Sequence, residues 1–306
     1  MPSSSFPLLR LSFAALREII AKIEPYEQLK LSFCSKRMYN IVKYFRGKST
    51  LSLKLHDFRD YTEICIFNQK SAKNEVRFEI RADREAERLF SHGKDVIQRT
   101  KFLVEFLCDL FAAKVEKVSV NANKMWMLDF IEERQGRSSY DAEAWNSMRP
   151  DLTDEQSRHI LLDLNPRSLE FSQRPSDEFQ IENFHKKYEN LTIYGGTWMT
   201  VKNLCQLDCV ELNDRGRYFS NTEINRYLKH VLSGEAPRLR KFSAAVEHPI
   251  ENVIMDGIRD LLIGSERFED KRGNWNVIGK VARGEELLLV SIRCRLDLFY
   301  VEIKET

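Results

Sequence analysis

The chain has 306 residues, of which 42% are hydrophobic and 31% are charged, a balance typical of a folded, soluble protein and not of a disordered one. Its formal net charge of +2 gives no basic excess of the kind that favours nucleic-acid binding. Apolar runs stay shorter than the roughly 18 residues of a membrane-spanning helix, and Arg10, Arg17 and Lys22 interrupt the stretch that resembles a secretory signal. We therefore expect an intracellular protein, cytoplasmic or nuclear, without a membrane or nucleic-acid partner.

The first 47 residues predict three short helices. An apolar stripe at helical spacing marks the first one: Phe13, Leu16, Ile20 and Ile23. Pro25 ends that helix and suits the first position of the next, and Ser35 is a candidate N-cap for the third. The third helix has the clearest apolar face: Met38, Ile41, Val42 and Phe45. Gly47 is expected to end it.

So small a bundle buries too little surface to be stable alone by the usual size scaling. Apolar side chains also occur on more than one face, because Leu16, Ile19 and Ile20 cannot all point one way. Two interpretations follow. Either the bundle packs on the rest of its own chain, or one of its faces docks on a separate partner.

Residues 6–42 resemble an F-box, particularly the version in the large nematode F-box families. The match includes the entry Pro7, Leu8 and Leu11, the helix core Leu16, Ile19 and Ile20, the loop residue Pro25, and the run Leu29, Leu31, Cys34 and Lys36. Ser12 and Arg37 depart from the family, where proline and tryptophan are common.

This resemblance implies that the helices bind the Skp adaptor and, through it, a cullin. The positions that carry over to adaptor binding are Pro7, Leu11, Leu16, Ile19, Ile20, Leu29, Leu31 and Cys34. Such binding requires apolar side chains, Leu16, Ile20 and Leu29 among them, that their own chain leaves uncovered.

Residues 48–306 predict one further domain. Alternating residues indicate strands at 51–55, 64–66 and 76–80, and a long helix follows over 96–111. Later strands near 169–171, 191–193, 207–212 and 239–242 alternate with helices, two of which begin at capping-box patterns, Thr153–Gln156 and Ser220–Glu223. Such alternation implies parallel strands with crossover helices, and its spacing suits leucine-rich-repeat-like units.

The tail predicts antiparallel strands at 275–281, 287–292 and 298–303. It resembles, with residues 191–245, the F-box-associated domain of the same families. The expected fold is therefore α+β or α/β: a three-helix F-box over residues 1–47, and over residues 48–306 a mixed domain with leucine-rich-repeat-like strand–helix units and antiparallel C-terminal strands.

Catalytic and metal-binding patterns are not found. Gly273 and Gly279 have the wrong spacing for a phosphate-binding loop, and no nucleophile elbow or His-Glu-x-x-His motif occurs. Cys205 and Cys209 lack the paired partners of a zinc site, so we predict core residues there, no metal and no cofactor.

Aromatic residues after two predicted strands are the remaining functional signal. They are Tyr194, Trp198, Tyr218 and Phe219. Aromatic side chains are favoured at interface centres, so they are candidates for substrate binding, although core packing under the loops is the favoured explanation.

We therefore predict a non-enzymatic substrate-recognition adaptor of a Skp–cullin–F-box ubiquitin ligase, with an unknown protein substrate. Two alternatives stay open: an F-box scaffold or decoy that recruits nothing for degradation, and an enzyme whose site the sequence does not show.

Overall fold

The computed structural model describes residues 8–46, 51–58, 61–68, 71–81, 96–121, 124–145, 152–283 and 286–305. Its contacts divide the chain into two compact units, residues 1–117 and residues 118–306. Gly47, the predicted end of the F-box, and the predicted turn at Gly284 and Glu285 lie outside the described residues.

The first unit contains the three predicted N-terminal helices. Its helices are a 3-10 turn at Leu8–Arg10, α1 (Phe13–Lys22), α2 (Pro25–Cys34), α3 (Lys36–Phe45) and α4 (Val96–Phe111). Ser12 caps α1 through a hydrogen bond from Ala15 N–H, Pro25 opens α2, and Ser35 caps α3 through a bond from Met38 N–H. The helix boundaries predicted from Pro25 and Ser35 are therefore confirmed.

A common core holds the three helices together. Its apolar members are Leu16, Ile20, Leu29, Met38, Val42 and Phe45. A buried amide adds a polar clamp, because Gln28 Nε2 donates to the carbonyls of Ile20 and Ile23, each at 3.0 Å. These two bonds satisfy carbonyls at the C-terminal end of α1 and fix the connection to α2.

The strands of the first unit form an antiparallel arrangement in the order β1-β2-β3. They are β1 (Leu51–Asp57), β2 (Tyr61–Asn68) and β3 (Ser71–Arg81). Leu53 pairs with Ile66 and Leu55 with Ile64, and all four side chains are buried. The predicted antiparallel region is confirmed, since alternation placed these residues on one face.

The second unit is an α/β assembly. Its helices are α5 (Trp126–Gln135), α6 (Asp154–Arg158), continued by a π-helical turn at His159–Asp163, α7 (Val201–Gln206), α8 (Asn221–Leu232) and α9 (Glu251–Ile254), with a 3-10 turn at Arg259–Leu261. Its strands are β5 (Asp141–Ala144), β6 (Ser168–Phe171), β7 (Lys187–Ile193), β8 (Asp208–Phe219), β9 (Lys241–Val246), β10 (Ile263–Glu269), β11 (Trp275–Arg283), β12 (Glu286–Arg295) and β13 (Leu298–Glu305). The boundary between the units falls inside β4 (Lys114–Val120). None of the helices described in either unit has the length and apolar character that crossing a bilayer requires.

Strands β5 to β9 are parallel and lie side by side in chain order. The capping boxes at Thr153 and Ser220 form as predicted, and a third forms at Thr200 before α7. The predicted alternation of parallel strands with helices is confirmed. The leucine-rich-repeat likeness stays a prediction.

The antiparallel tail continues the same sheet in the order β9-β13-β12-β11-β10. The three predicted strands are β11, β12 and β13. Of the strands that lie wholly within the second unit, two were not predicted, β5 and β10. Every residue of β10 is exposed, so no buried alternation marks it in the sequence.

Helices cover one face of this sheet. The Tyr227 ring of α8 packs on Phe242 of β9 with centroids 4.6 Å apart, and Trp198 lies edge-on to Phe171 of β6 at 6.4 Å. The face predicted for α8 is buried throughout: Ile224, Tyr227, Leu228, Val231 and Leu232.

Candidate protein-interaction surfaces

One side of the three-helix bundle packs on α4. The Phe33 ring of α2 stacks on Phe106 of α4 with centroids 5.0 Å apart and planes inclined by 10°. The Tyr39 ring of α3 lies 5.1 Å from the same phenylalanine. The bundle is thus not free on all sides, as the first of the two interpretations predicted.

A charged cluster joins the same helices. Lys43 Nζ lies 2.6 Å from Asp109 Oδ1, Tyr39 donates its hydroxyl to the same carboxylate, and Arg46 donates to the Leu110 carbonyl at 2.5 Å. Hydrogen bonds from Lys43 and Tyr39 lower the pKa of Asp109. Burial, together with the Asp109 hydrogen bond, raises the pKa of Tyr39 to about 12.

The predicted adaptor-binding residues separate into two groups. Leu16, Ile20 and Leu29 are buried, at 5%, 0% and 2% exposure, so the expectation that they are uncovered is wrong. Three ten-residue helices need these side chains for their own core. The second group is accessible: Leu11, Ile19 and Leu31 are half-buried and Cys34 is exposed. Pro7 lies outside the described residues.

Exposed aromatic rings add to the accessible group. Phe13 and Tyr44 are 62% and 72% exposed, and the Phe13 ring lies 5.5 Å from that of Tyr44 and 4.4 Å from that of Phe45. Because Phe13 belongs to the apolar stripe of the first helix, the sequence predicted that its ring is part of the core. It is instead the first residue of the helix, and its ring lies over the end of α3. Tyr44 was not singled out by the sequence.

A polar depression lies on one face of the sheet in the second unit. It is the face formed by the outward side chains, which alternate along each strand with the buried ones. It has a volume of about 380 Å³ and is lined mainly by β7, β8, β9 and β13. Its polar lining residues are Asn190, Thr192, Glu211, Asn213, Lys241, Ser243, Arg293, Tyr300 and Glu302. Lys241 Nζ lies 2.6 Å from Glu211 Oε1, and Ser243 donates to Asn213 at 2.6 Å. This surface offers a partner hydrogen-bond donors and acceptors, together with side chains of positive and negative charge.

The four predicted substrate-binding aromatics do not form one surface. Tyr194 and Tyr218 are 43% and 58% exposed, as a contact role requires. Trp198 and Phe219 are buried, at 5% and 0% exposure, which corrects their assignment to an exposed surface. The Trp198 ring packs in the core, 5.6 Å from that of Phe179.

The glycine pair before Trp198 is explained by packing. A Cβ on Gly195 would lie 2.2 Å from the Gln173 carbonyl oxygen, and Gly196 has a φ of +96° beside the Trp198 ring. Residues 194–196 therefore pass in close contact with the backbone at Gln173, and of these three residues only Tyr194 has a side chain that is available for contact.

A buried carboxyl lies near the middle of β8, where the sequence was interpreted only as an Asp-Arg-Gly-Arg turn. Asp214 is 0% exposed, its Oδ1 accepts from Gly216 N–H at 2.8 Å, and its Oδ2 has no partner among the described residues. Burial raises the pKa of Asp214 to about 7, although the Gly216 hydrogen bond and the Arg217 charge act in the opposite sense.

A group of possible metal ligands lies on β1 and β2. The ligand atoms of His56, Glu63 and Cys65 lie within 4.8 Å of one another. Cys65 Sγ donates to Glu63 at 3.2 Å, and burial, with Glu63 beside it, raises the pKa of this thiol. Structural zinc sites use four ligands, and the described residues bring only these three together here. Cys205 and Cys209 lie on different elements, α7 and β8, as predicted.

Family models match two parts of the chain. The model described as F-box domain matches residues 8–50, and the model described as F-box associated matches residues 178–244. The chain carries an F-box domain followed by an F-box-associated domain. This confirms the resemblance recognised in the sequence. The F-box match spans α1 to α3, and the second match includes the polar residues of β7 and β8 and the whole of α8. Both are adaptor-type, non-enzymatic domains, and F-box domains generally bind the Skp adaptor within cullin ligase complexes.

Other comparisons add little. Curated protein sequences contain no match to this chain. Among solved structures, a match is the crystal structure of a S-adenosylmethionine-dependent methyltransferase from Clostridium acetobutylicum, at 8% identity, covering 67% of this chain and 73% of that one. Its TM-score is 0.15, too low for any conclusion about fold or function.

Proposed function

We propose that this chain is a substrate-recognition adaptor of a Skp–cullin–F-box ubiquitin ligase, acting inside the cell without catalysing a reaction itself. The presence of an F-box domain and an F-box-associated domain in one chain carries this proposal. The adaptor would bring a target near a ubiquitin-charged enzyme, so its effect on rate comes from raised effective concentration and not from bond chemistry.

The bundle surface left free by α4 would bind the Skp adaptor. Its accessible residues at carried-over positions are Leu11, Ile19, Leu31 and Cys34. Phe13 and Tyr44 extend this surface with exposed rings, and aromatic side chains are frequent at interface centres. The buried residues Leu16, Ile20 and Leu29 would act indirectly, by shaping the bundle.

The F-box-associated domain would bind the target. Its polar sheet face and the exposed Tyr194 and Tyr218 support this assignment, because one face of the sheet is covered by helices while the other offers hydrogen-bonding groups.

Charge substitution on the accessible group tests adaptor binding. Ile19→Asp and Leu31→Asp should each weaken affinity for the purified Skp adaptor by about tenfold or more, because a carboxylate would replace a buried apolar contact. The control Asn40→Asp adds the same charge at an exposed position of α3. Calorimetric titration measures the affinities, and circular dichroism verifies that each variant is folded. Wild-type protein without measurable adaptor binding would refute the proposal.

Target recruitment needs a separate test, since an F-box scaffold would also bind the adaptor. Deleting the F-box would uncover Phe106 and the rest of the α4 face, so Ile19→Asp is the better perturbation. Proteins that co-purify with the variant should accumulate in cells in which it replaces the wild type. Unchanged levels of every such protein would favour the scaffold alternative.

A further inference from the structure

The register of the first two strands brings three groups able to bind a metal ion to one point of the sheet. His56 of β1 is the direct cross-strand partner of Glu63 of β2, and such partners have Cβ atoms about 4.5–5.5 Å apart. Cys65 lies two residues further along β2, so its side chain leaves the same face as Glu63. An imidazole, a carboxylate and a thiol therefore meet there, with all ligand atoms within 4.8 Å of one another.

This group is buried, which distinguishes it from an ordinary surface cluster of acidic residues. Glu63 is 8% exposed and Cys65 is 1% exposed, whereas His56 is half-buried and gives solvent access. The Glu63 carboxylate accepts a hydrogen bond from the Cys65 thiol at 3.2 Å, and a thiol is a weak donor. In the described part of the chain no ion pair neutralises Glu63. Because a buried carboxylate without a cationic partner costs free energy, a cation bound at this point would stabilise the arrangement.

Two cationic side chains flank Cys65 in the sheet, and each is held by another group. Lys54 of β1 and Arg77 of β3 are the cross-strand partners of Cys65. The ammonium of Lys54 lies over the Phe67 ring, 4.3 Å from its centroid, and Arg77 lies 2.9 Å from Glu75. Their charge weakens the attraction of the site for a cation, so binding must come from the bonds to the ligand atoms, above all to sulfur.

The donor set selects zinc. Zinc binds thiolate sulfur at about 2.3 Å and imidazole nitrogen or carboxylate oxygen at about 2.0–2.2 Å, so two ligand atoms of one tetrahedral ion are about 3.3–3.6 Å apart. The separation of 3.2 Å between Cys65 Sγ and Glu63 Oε1 is close to this value, and side-chain rotations can close the remaining gaps. Calcium and magnesium prefer oxygen ligands, and copper(I) prefers sulfur to carboxylate.

We propose that His56, Glu63 and Cys65 bind one zinc ion, which joins β1 to β2, and that a solvent molecule takes the fourth position. On binding, the thiol gives its proton to solvent and its sulfur becomes the thiolate ligand. The site follows the F-box match in the chain and uses none of the residues of the proposed adaptor-binding and target-binding surfaces. It therefore adds a metal-dependent element to the first unit that is independent of the ligase function.

Zinc titration of the full chain tests the site. The reduced, metal-free protein competes for zinc with a chromogenic chelator and should bind one ion per chain. Cys65→Ser, Glu63→Gln and His56→Gln should each weaken zinc affinity by about tenfold or more, since even the hydrogen-bond partners of metal ligands contribute about 10- to 100-fold. Circular dichroism verifies folding, and His56→Gln, at the half-buried member, keeps the test valid where a variant at a buried position does not fold.

Matched control variants make the same three chemical changes outside the group. They are Cys205→Ser at a half-buried cysteine, and Glu182→Gln and His185→Gln at exposed residues. Each control should keep the wild-type zinc affinity. Millimolar calcium or magnesium should not displace the zinc, because neither ion favours thiolate or imidazole.

Cobalt(II) reports the thiolate ligand directly, because cobalt in a zinc site absorbs in the near ultraviolet by charge transfer from a bound thiolate. This absorption should develop in the wild type and in the controls and be absent from Cys65→Ser, while Glu63→Gln should require a higher cobalt concentration. A wild-type chain that binds no zinc would overturn the proposal. So would zinc affinity that is unchanged in both Cys65→Ser and Glu63→Gln, or zinc that calcium displaces.

Discussion

Asp214 gives the F-box-associated domain a defined pH response. Its carboxyl is buried near the middle of β8, one of its oxygens has no partner among the described residues, and burial raises its pKa to about 7. In the unfolded chain the same group ionises near its ordinary value of 3.8. Between these two values the folded chain holds a proton that the unfolded chain has lost, so stability falls as pH rises through this window.

The size of the effect follows from the two values. A change from 3.8 to about 7 corresponds to on the order of 4 kcal/mol lost from the free energy of unfolding between mildly acidic and slightly alkaline pH. Asp214→Asn removes the titration. Its amide oxygen can still accept from Gly216 N–H, but its NH2 group replaces the unpartnered Oδ2. Relative to the protonated carboxyl this costs roughly 1–3 kcal/mol, less than the roughly 4 kcal/mol that ionisation costs the wild type at alkaline pH.

Urea unfolding followed by circular dichroism measures the difference. From about pH 5 to about pH 8 the wild-type midpoint should fall steadily, whereas the Asp214→Asn midpoint should fall much less and exceed the wild-type value at the alkaline end. Asp177→Asn, at an exposed aspartate, is the control and should follow the wild type. Parallel curves for the wild type and Asp214→Asn would refute a protonated Asp214.

Three further predictions concern separate parts of the molecule. Phe106→Ala removes the half-buried ring that stacks on Phe33 of the F-box, and it should lower the free energy of unfolding by about 1–3 kcal/mol, as measured by urea titration. An unchanged free energy of unfolding would contradict the packing of α4 on the F-box helices. Gly195→Ala forces a Cβ against the Gln173 carbonyl oxygen and should lower the thermal midpoint measured by calorimetry, and an unchanged midpoint would contradict the close approach. Iodoacetamide should modify exposed Cys34 in the native chain, detected by mass spectrometry, whereas Cys65, buried with a raised pKa, should react only after unfolding.

Local rules were enough to predict the helices of the F-box. Pro25 and Ser35 act on their own backbone neighbours, so the ends they set do not depend on the rest of the fold. Burial was harder to predict. Helical spacing identified Leu16 and Ile20 as apolar, but it could not distinguish a bundle core from a partner-binding face, because both need the same residue types.

Sheet order was predictable where strands alternate with helices. The chain-order neighbours β5 to β9 follow from short connections and crossover helices. Strand β10 was not predicted, because its backbone pairs with β11 while all its side chains remain exposed. Charged residues such as Arg267, which binds Glu251 at 2.7 Å, stabilise this edge without leaving an apolar pattern in the sequence.

The choice between Tyr218 and Phe219 as a contact residue depends on one irregularity of β8. Asp214 pairs with Ala244 and Tyr218 with Ala245, so residues 215–217 are extra and form a bulge. Strict alternation from buried Asp214 would turn Tyr218 inward and Phe219 outward. Three inserted residues reverse this order: Phe219 enters the core and Tyr218 points outward, where its hydroxyl donates to Asp297. Asp214 helps to hold the bulge through Gly216 N–H, so the buried carboxyl and the exposed ring are parts of one local structure that alternation alone cannot predict.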